Sequence, residues 1–167
     1  MKKKYGFTLI ELLVVIAIIG ILASMIFVSL QEVRGKVRSA KRKEDVEVLA
    51  KALDHYALDN GSYPNISDSS QGVCSDDNRS TDNKWQQLSN ALTPYINRLP
   101  LDPLNKTVGS TRYAYCYIVS SDATAYKITV PLENDDKAMQ NDGGTDDYLY
   151  EVFSVGGQEL KPLPIGP

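Results

Sequence analysis

The side chains of this sequence that could take part in chemistry are few. Glu11 is the one charged residue between Gly6 and Leu30, inside an otherwise apolar segment. The chain has a single histidine, His55, and no acid-base partners stand near it in the sequence. There is no Ser-His-Asp or Cys-His set and no phosphate-binding glycine loop. The sequence therefore predicts no catalytic residue, and a membrane-anchored enzyme or binding module is a remote alternative.

Glu11 is the most informative of these residues. A carboxylate inside an apolar segment costs about 2 to 3 kcal/mol by membrane-insertion scales. We therefore expect it to be neutral or to have a partner. The alternative is a carboxylate that lies at the level of the lipid headgroups.

Cys74 and Cys116 are the two cysteines of the chain. Outside the cytoplasm such a pair is expected to be oxidised. The disulfide would close a loop of about 40 residues and stabilise the fold by roughly 3 to 4 kcal/mol in the chain-entropy model. Two free thiols are the alternative, and a metal site is not expected because no histidine lies near them.

An acidic loop that contains glycines is a candidate cation site. It comprises Asn134 to Asp136 and residues 141–147, which include Asp142, Asp146 and Asp147. Hard oxygen ligands on a flexible loop suit Ca²⁺, although the spacing does not match an EF-hand. The alternative is a solvated turn in which these side chains bind nearby backbone groups. The sequence therefore predicts no required cofactor, and a bound calcium ion is one of the two alternatives for this loop.

The apolar residues are concentrated at the N-terminus. Of the 167 residues 43% are apolar, and the net charge of -3 implies no basic surface for nucleic acid. As a helix, residues 9–30 would measure about 33 Å, enough for a hydrocarbon core of about 30 Å. A cleaved secretory signal is shorter and ends in a small-x-small site, which is absent here. We therefore expect one transmembrane helix over residues 7–30.

Helical periodicity continues past the apolar block. Apolar residues recur at i, i+3, i+4 and i+7, namely Val46, Leu49, Ala50, Leu53, Tyr56 and Ala57. The pair Asn60-Gly61, followed by Pro64, should end this helix. The sequence predicts an amphipathic continuation over residues 31–60 whose apolar stripe needs a cover.

The remainder, residues 61–167, is predicted to be a small α+β domain. A loop over residues 66–83 precedes a short helix that carries Trp85, Leu88, Leu92 and Tyr95 on one side. Strands are expected over residues 112–120, 125–132 and 148–155. Three or four antiparallel strands must bury one face, and the stripe from Val46 to Ala57 is the available partner. The predicted fold class is α+β: a ladle-shaped molecule with a long N-terminal helix packed by a small antiparallel sheet.

The N-terminal sequence resembles the class III signal of type IV pilins and type II secretion pseudopilins. The residues that carry the resemblance are Lys2-Lys3-Lys4-Tyr5-Gly6-Phe7-Thr8-Leu9-Ile10-Glu11 and the apolar run that follows to Ala23. The resemblance implies that residues 1–6 are a leader, which a prepilin peptidase cuts between Gly6 and Phe7 before methylating the new amine of Phe7. It makes Glu11 the family's intramembrane glutamate. A neighbouring subunit's Glu11 could then neutralise that amine where the dielectric constant is low.

A second stretch bears on the subfamily. Residues 95–103, Tyr-Ile-Asn-Arg-Leu-Pro-Leu-Asp-Pro, resemble a segment of the major type II pseudopilin. That group is known to bind calcium in sheet loops, although the acidic residues here do not align one for one with its site. The resemblance implies a structural subunit of a type II secretion filament. A type IV pilus major or minor pilin, acting in adhesion, twitching or DNA uptake, is the alternative, and the cysteine pair favours it.

The charges around the apolar block bear on topology and partners. Three lysines precede it and six basic residues follow it, namely Arg34, Lys36, Arg38, Lys41, Arg42 and Lys43. The positive-inside rule alone would place the C-terminal part in the cytoplasm. The resemblance implies the reverse: a bacterial inner-membrane subunit with a cytoplasmic N-terminus and a periplasmic or extracellular domain. The basic residues would then contact lipid headgroups or adjacent subunits, or form a solvated helix face.

The resemblance also implies a set of partners. They are identical and related pilin-like subunits, the prepilin peptidase, an inner-membrane assembly platform and, before assembly, membrane lipid. No nucleic-acid binding is expected of the subunit itself.

Overall fold

One long helix organises the molecule. In the computed structural model, which describes residues 7–66, 72–76 and 84–162, helix α1 spans Leu9–Asn60. Its 52 residues give a length of about 80 Å. The helix ends at Gly61, whose left-handed backbone (φ +76°) lets its N–H donate to the carbonyl of Ala57 at 2.8 Å. The predicted helix end is confirmed, whereas the predicted leader, residues 1–6, lies outside the described residues.

The C-terminal half of α1 is covered by a small α+β domain. Its other elements are β1 (Val73–Cys74), α2 (Lys84–Leu92), β2 (Lys106–Val108), β3 (Thr111–Tyr113), β4 (Cys116–Val119), β5 (Tyr126–Val130), α3 (Asp136–Gln140) and β6 (Tyr150–Phe153). Four strands form an antiparallel sheet in the order β1-β4-β5-β6, and β2 pairs with β3 in a separate hairpin. The α+β fold class predicted from the sequence is confirmed.

The core lies between the apolar stripe of α1 and one face of the four-stranded sheet. Val46, Leu49 and Leu53 are fully buried, and the predicted stripe is therefore the face that receives the sheet. Side chains alternate along a strand, so that Tyr117 and Ile128 point into this core. Leu88 and Leu92 of α2 close it at one side, as their predicted spacing indicated.

Two predictions about the strands are wrong in detail. The single strand expected over residues 112–120 is split between β3 and β4, because β3 pairs with β2 and β4 pairs with β1 and β5. At the break Tyr115 bonds to Ser75, whose N–H donates to the Tyr115 carbonyl at 2.8 Å. The loop expected over residues 66–83 contains the buried strand β1, although residues 67–71 and 77–83 lie outside the described part. A two-residue strand carries no periodic signal that the sequence could reveal.

Candidate assembly helix and domain anchor

The first half of α1 presents its large apolar side chains outward. The exposed ones include Phe7, Leu9, Ile10, Leu12, Leu13, Val14, Val15, Ile16, Ile18, Ile19, Ile21 and Leu22. Leu9 is 87% exposed, and even Val15 is 45% exposed. Apolar area in contact with water is unfavourable by about 25 cal/mol per Å², so a surface of this extent indicates burial in lipid or against protein.

The membrane-spanning interpretation of this segment stays a prediction. Within the described side chains, residues 7–24, 30–66, 72–76 and 84–162, no helix is long and apolar enough to cross a membrane. The predicted span over residues 7–30 also includes residues 25–29, whose side chains lie outside that set.

Glu11 lies in the first turn of α1, where it closes a capping box with Thr8. The Thr8 backbone N–H and hydroxyl donate to Glu11 Oε2 at 2.9 and 2.8 Å, and the Glu11 N–H donates to Thr8 Oγ1 at 3.3 Å. The carboxylate thus satisfies helix donors within its own chain. This role was missed in the sequence, although Thr-x-x-Glu before an apolar run is its signature. The charge-pair role of Glu11 remains a prediction, as does cleavage after Gly6, which lies outside the described residues.

The C-terminal half of α1 is joined to the domain by a cluster of ion pairs. Arg42 is fully buried and binds Asp102 through two nitrogens, Nε to Oδ2 at 2.6 Å and Nη2 to Oδ1 at 3.1 Å. Its third nitrogen, Nη1, donates to Glu133 Oε1 at 2.7 Å. Arg38 donates to both oxygens of Glu133, at 2.8 and 2.5 Å. We call Arg38, Arg42, Asp102 and Glu133 the domain anchor.

Hydrogen bonds from the backbone complete the domain anchor. Asp102 Oδ1 also accepts the N–H groups of Leu104 and Asn105, at 2.8 and 3.1 Å. Ser39 Oγ donates to the Glu133 carbonyl at 2.9 Å and accepts the Glu133 N–H at 2.7 Å. The hydrogen bond from Arg38, followed by that from Arg42, outweighs partial burial and lowers the pKa of the Glu133 carboxyl below its ordinary value. Asp102 and Glu133 therefore bridge α1 to two loops of the domain.

The domain anchor corrects the interpretation of the basic residues after the apolar block. Arg38 and Arg42 belong neither to a lipid-contacting surface nor to a solvated helix face. Both side chains point toward the domain and pair with its acidic residues. Lys43 likewise pairs with Asp135. Lys36, by contrast, is exposed and pairs with Glu32 one turn earlier at 2.7 Å. Sequence reasoning missed these pairs because Asp102 and Glu133 lie 60 and 91 positions from Arg42.

The two cysteines form a disulfide in the structure. Cys74 and Cys116 are directly opposite one another on β1 and β4, and their Cα atoms are 4.1 Å apart. Both are buried and pack with Ala114 in a small cluster beside the main core. The bridge therefore attaches the two-residue strand β1 to the sheet.

The acidic loop does not have the geometry of a calcium site. Asp142 uses both oxygens for backbone donors, accepting the Gly144 N–H at 2.7 Å and the Glu151 N–H at 2.6 Å. Asp146 Oδ1 accepts the Tyr148 N–H at 2.9 Å, and Asp147 is exposed. In the part of the chain that the structure describes, no three His, Cys, Asp or Glu side chains form a group able to hold a metal. Because calcium takes six to eight oxygen ligands, these residues as arranged do not fit that ion.

Fold and surface together define a class. A long helix with an exposed apolar N-terminal half and a small sheet domain docked on its second half is the architecture of a pilin-like subunit. Residues 1–27 match the family described as "Prokaryotic N-terminal methylation motif". Residues 29–147, more than half of the chain, match the family "Type II secretion system (T2SS), protein G". The chain therefore belongs to the type II secretion system protein G family.

Individual relatives agree with the family match. Proteins named Type II secretion system core protein G are similar to this chain in Vibrio cholerae (35% identity over 62% of this chain and 67% of that protein), Aeromonas hydrophila (39%, over 61% and 68%) and Escherichia coli strain K12 (41%, over 60% and 67%). No solved structure matches the chain significantly. The prediction of a type II secretion pseudopilin is confirmed in preference to a type IV pilus subunit.

Proposed function

We propose that this pseudopilin polymerises through the first half of α1 into the filament of a type II secretion system and so serves protein secretion mechanically. The observation that carries the proposal is the exposed apolar surface of residues 7–22, in a chain whose family is a secretion-system component. In the isolated subunit this surface requires lipid, and in a filament the same surface would be covered by the helices of neighbouring subunits. No catalytic role is part of the proposal.

Assembly would begin with processing of the N-terminus. We infer that the chain divides into a leader (residues 1–6), a membrane segment (7–30), an amphipathic helix (31–60) and an extracytoplasmic domain (61–167). The prepilin peptidase would cut between Gly6 and Phe7 and methylate the amine of Phe7. The match of residues 1–27 to an N-terminal methylation motif supports this processing. The subunit would then wait in the inner membrane, with its N-terminus cytoplasmic, until the assembly platform extracts it.

Glu11 would set the position of an incoming subunit relative to its neighbour in the filament. A new amine at Phe7 and the carboxylate of a neighbour's Glu11 would each be costly if left unpaired in a medium of low dielectric constant. The present hydrogen bonds of Glu11 to Thr8 keep the carboxylate within the first helical turn, adjacent to Phe7. From that position the carboxylate would pair with the terminus of another subunit.

The domain anchor would transmit force between the filament-forming half of α1 and the α+β domain. A subunit that is pushed or pulled along its helix needs a rigid connection between helix and domain, because otherwise the domain would move relative to α1. Arg42 donates to three carboxylate oxygens on two separate loops of the domain, both oxygens of Asp102 and Oε1 of Glu133. This bidentate, buried geometry is more rigid than a surface ion pair.

The proposal is tested by intact mass and N-terminal sequencing of the protein recovered from membranes and from sheared filaments. The comparison uses cells with and without their prepilin peptidase. We expect a methylated Phe7 terminus that depends on the peptidase in the membrane fraction. Long fibres of the same protein sheared from the cell surface at native expression would favour a type IV pilus over a periplasmic pseudopilus. An intact Met1 terminus in filaments, or a cut beyond residue 30, would contradict the proposal.

A further inference from the structure

A lysine and a glutamate form a buried ion pair on the face of the sheet that points away from α1. Lys127 on β5 is fully buried and Glu151 on β6 is 2% exposed. Lys127 Nζ lies 3.0 Å from Glu151 Oε2 and donates at 3.0 Å to Thr145 Oγ1. The ring of Phe153, directly opposite Lys127 in the strand register, lies 6.0 Å from the ammonium. The charges of Lys127 and Glu151 therefore balance each other without water or another chain.

The segment between α3 and β6 folds around this pair. Thr145 donates its backbone N–H to Glu151 Oε2 at 2.7 Å, so that it binds both partners of the pair. Gly144 passes so close that a Cβ there would lie 2.0 Å from Glu151 Oε2, so a side chain at this position would force the Glu151 carboxylate to shift. Asp142 holds the Gly144 and Glu151 N–H groups from the other side. The path of residues 142–151 is thus set by contacts to two carboxylates, those of Asp142 and Glu151, and through Glu151 to one ammonium.

A buried carboxylate needs a positive charge nearby. Without one, Glu151 would be an unpaired ion in a medium of low dielectric constant, which is far more unfavourable than a lost hydrogen bond. Calcium would satisfy this need in a loop rich in acidic oxygens. Here the positive charge comes from Lys127, which occupies the buried side of the loop and would repel a divalent ion brought to the same carboxylate.

We propose that the ammonium of Lys127 is the resident cation of residues 142–151 and replaces the calcium ion that the family resemblance implies, so that this segment folds without divalent metal. The inference concerns the sheet domain and does not depend on the proposed filament role. One atom favours the opposite view: Glu151 Oε1 is buried and has no hydrogen-bond partner among the described residues. A metal ion at Oε1 would still lack the Asp142 oxygens, which are occupied by backbone donors.

The test is thermal unfolding of the full chain in detergent micelles, followed by circular dichroism in millimolar calcium or in EDTA. Wild type is compared with Lys127→Met, which removes the charge and keeps the apolar stem. Lys137→Met, which removes an exposed lysine on α3, is the matched control. Lys127→Met/Glu151→Gln removes both charges and keeps an acceptor for the Thr145 N–H.

We expect wild type to unfold at the same temperature with calcium and with EDTA. Lys127→Met should lower the melting temperature by about 10 °C, because breaking a buried pair leaves an uncompensated charge. The double variant should recover most of that loss, and Lys137→Met should match wild type. A melting temperature of wild type that rises with calcium and falls with EDTA would overturn the proposal. It would equally be overturned by a Lys127→Met variant as stable as wild type, or by a double variant with no recovery.

Discussion

At the scale of single residues, Glu11 has two roles that substitution can separate. Its carboxylate caps α1 through Thr8, and in the proposed filament it pairs with a neighbour's N-terminal amine. Gln can also close a capping box with Thr, because its side-chain oxygen accepts the same N–H. It cannot supply the negative charge. Glu11→Gln therefore isolates the charge, whereas Glu11→Ala removes charge and cap together.

We predict that Glu11→Gln and Glu11→Ala both reduce filament assembly strongly, because both leave the amine of Phe7 without a counter-charge. The measurement is the yield of sheared filaments relative to the membrane-bound subunit, after checking that both variants are processed. If Glu11→Gln assembled as well as wild type while Glu11→Ala did not, the cap alone would account for the role of Glu11.

Arg42 is the residue on which the domain anchor depends. Arg42→Met would leave Asp102 buried without its bidentate partner and remove one of the two cations that bind Glu133. We expect the free energy of unfolding to fall by about 3 to 5 kcal/mol, the range for breaking a buried ion pair. Chemical denaturation of the full chain in detergent measures this change.

Lys36→Met is the control for Arg42. Lys36 lies on the same helix, and its pair with Glu32 is solvent-exposed on both sides. Screening by water makes such pairs contribute little, so we expect no measurable change in the denaturation midpoint. Equal losses for both variants would show that the effect of Arg42 comes from the helix itself and not from the buried pairs.

At the scale of elements, β1 illustrates how a short strand is held in a sheet. Two residues cannot form a stable strand by backbone pairing alone, and β1 lies at the sheet edge. The Cys74–Cys116 bridge supplies the missing attachment to β4. The remaining strands, β4, β5 and β6, are joined by four residue pairs at each of their two junctions and pack on α1. The disulfide therefore stabilises the β1 edge of the sheet, whereas the pairing of β4, β5 and β6 does not depend on it.

We predict that replacing both cysteines with serine lowers the free energy of unfolding by roughly 3 to 4 kcal/mol without loss of the sheet. Chemical denaturation and far-ultraviolet circular dichroism measure the two effects. Alkylation of unfolded, non-reduced wild type should modify no thiol. Two modified thiols per chain would contradict the disulfide.

At the scale of the whole molecule, stability should depend on pH through the domain anchor. The pKa of Glu133 is lowered from its ordinary value of 4.5 in the folded state. A carboxyl with a lowered folded pKa contributes stability that is fully present above its unfolded pKa and is lost as pH falls through its folded pKa. The contribution of Glu133 should therefore be constant at neutral pH and decline only in acid, below about pH 4.5.

We predict that wild type is more stable than Glu133→Gln by a constant amount at neutral pH, and that the difference shrinks as pH falls below the ordinary carboxyl pKa. Denaturation midpoints of both proteins across an acid series measure it. A difference that grows toward low pH, or one that does not change, would rule out an ionised Glu133 as the source of this stability.

Much of the molecule was predictable from local sequence. The apolar block, the stripe from Val46 to Ala57 and the stop at Gly61 are periodic or short-range patterns, and each is present in α1. The short helix α2 and two of the three expected strands follow from the same kind of signal. The split between β3 and β4 was missed because a run of alternating residues does not reveal that its halves pair with different partners.

By itself the sequence determined the class of this protein and the course of its long helix. A leader motif and a helical period are contiguous, and contiguous residues are neighbours in any fold. Only the tertiary structure decided which charges meet: Arg42 with Asp102 and Glu133, and Lys127 with Glu151. These partners lie between 24 and 91 positions apart. The local sequence around an acidic residue does not reveal whether its side chain faces water or a buried basic residue. The reason is physical: the burial that makes such pairs costly to break arises only when the helix and the sheet pack together.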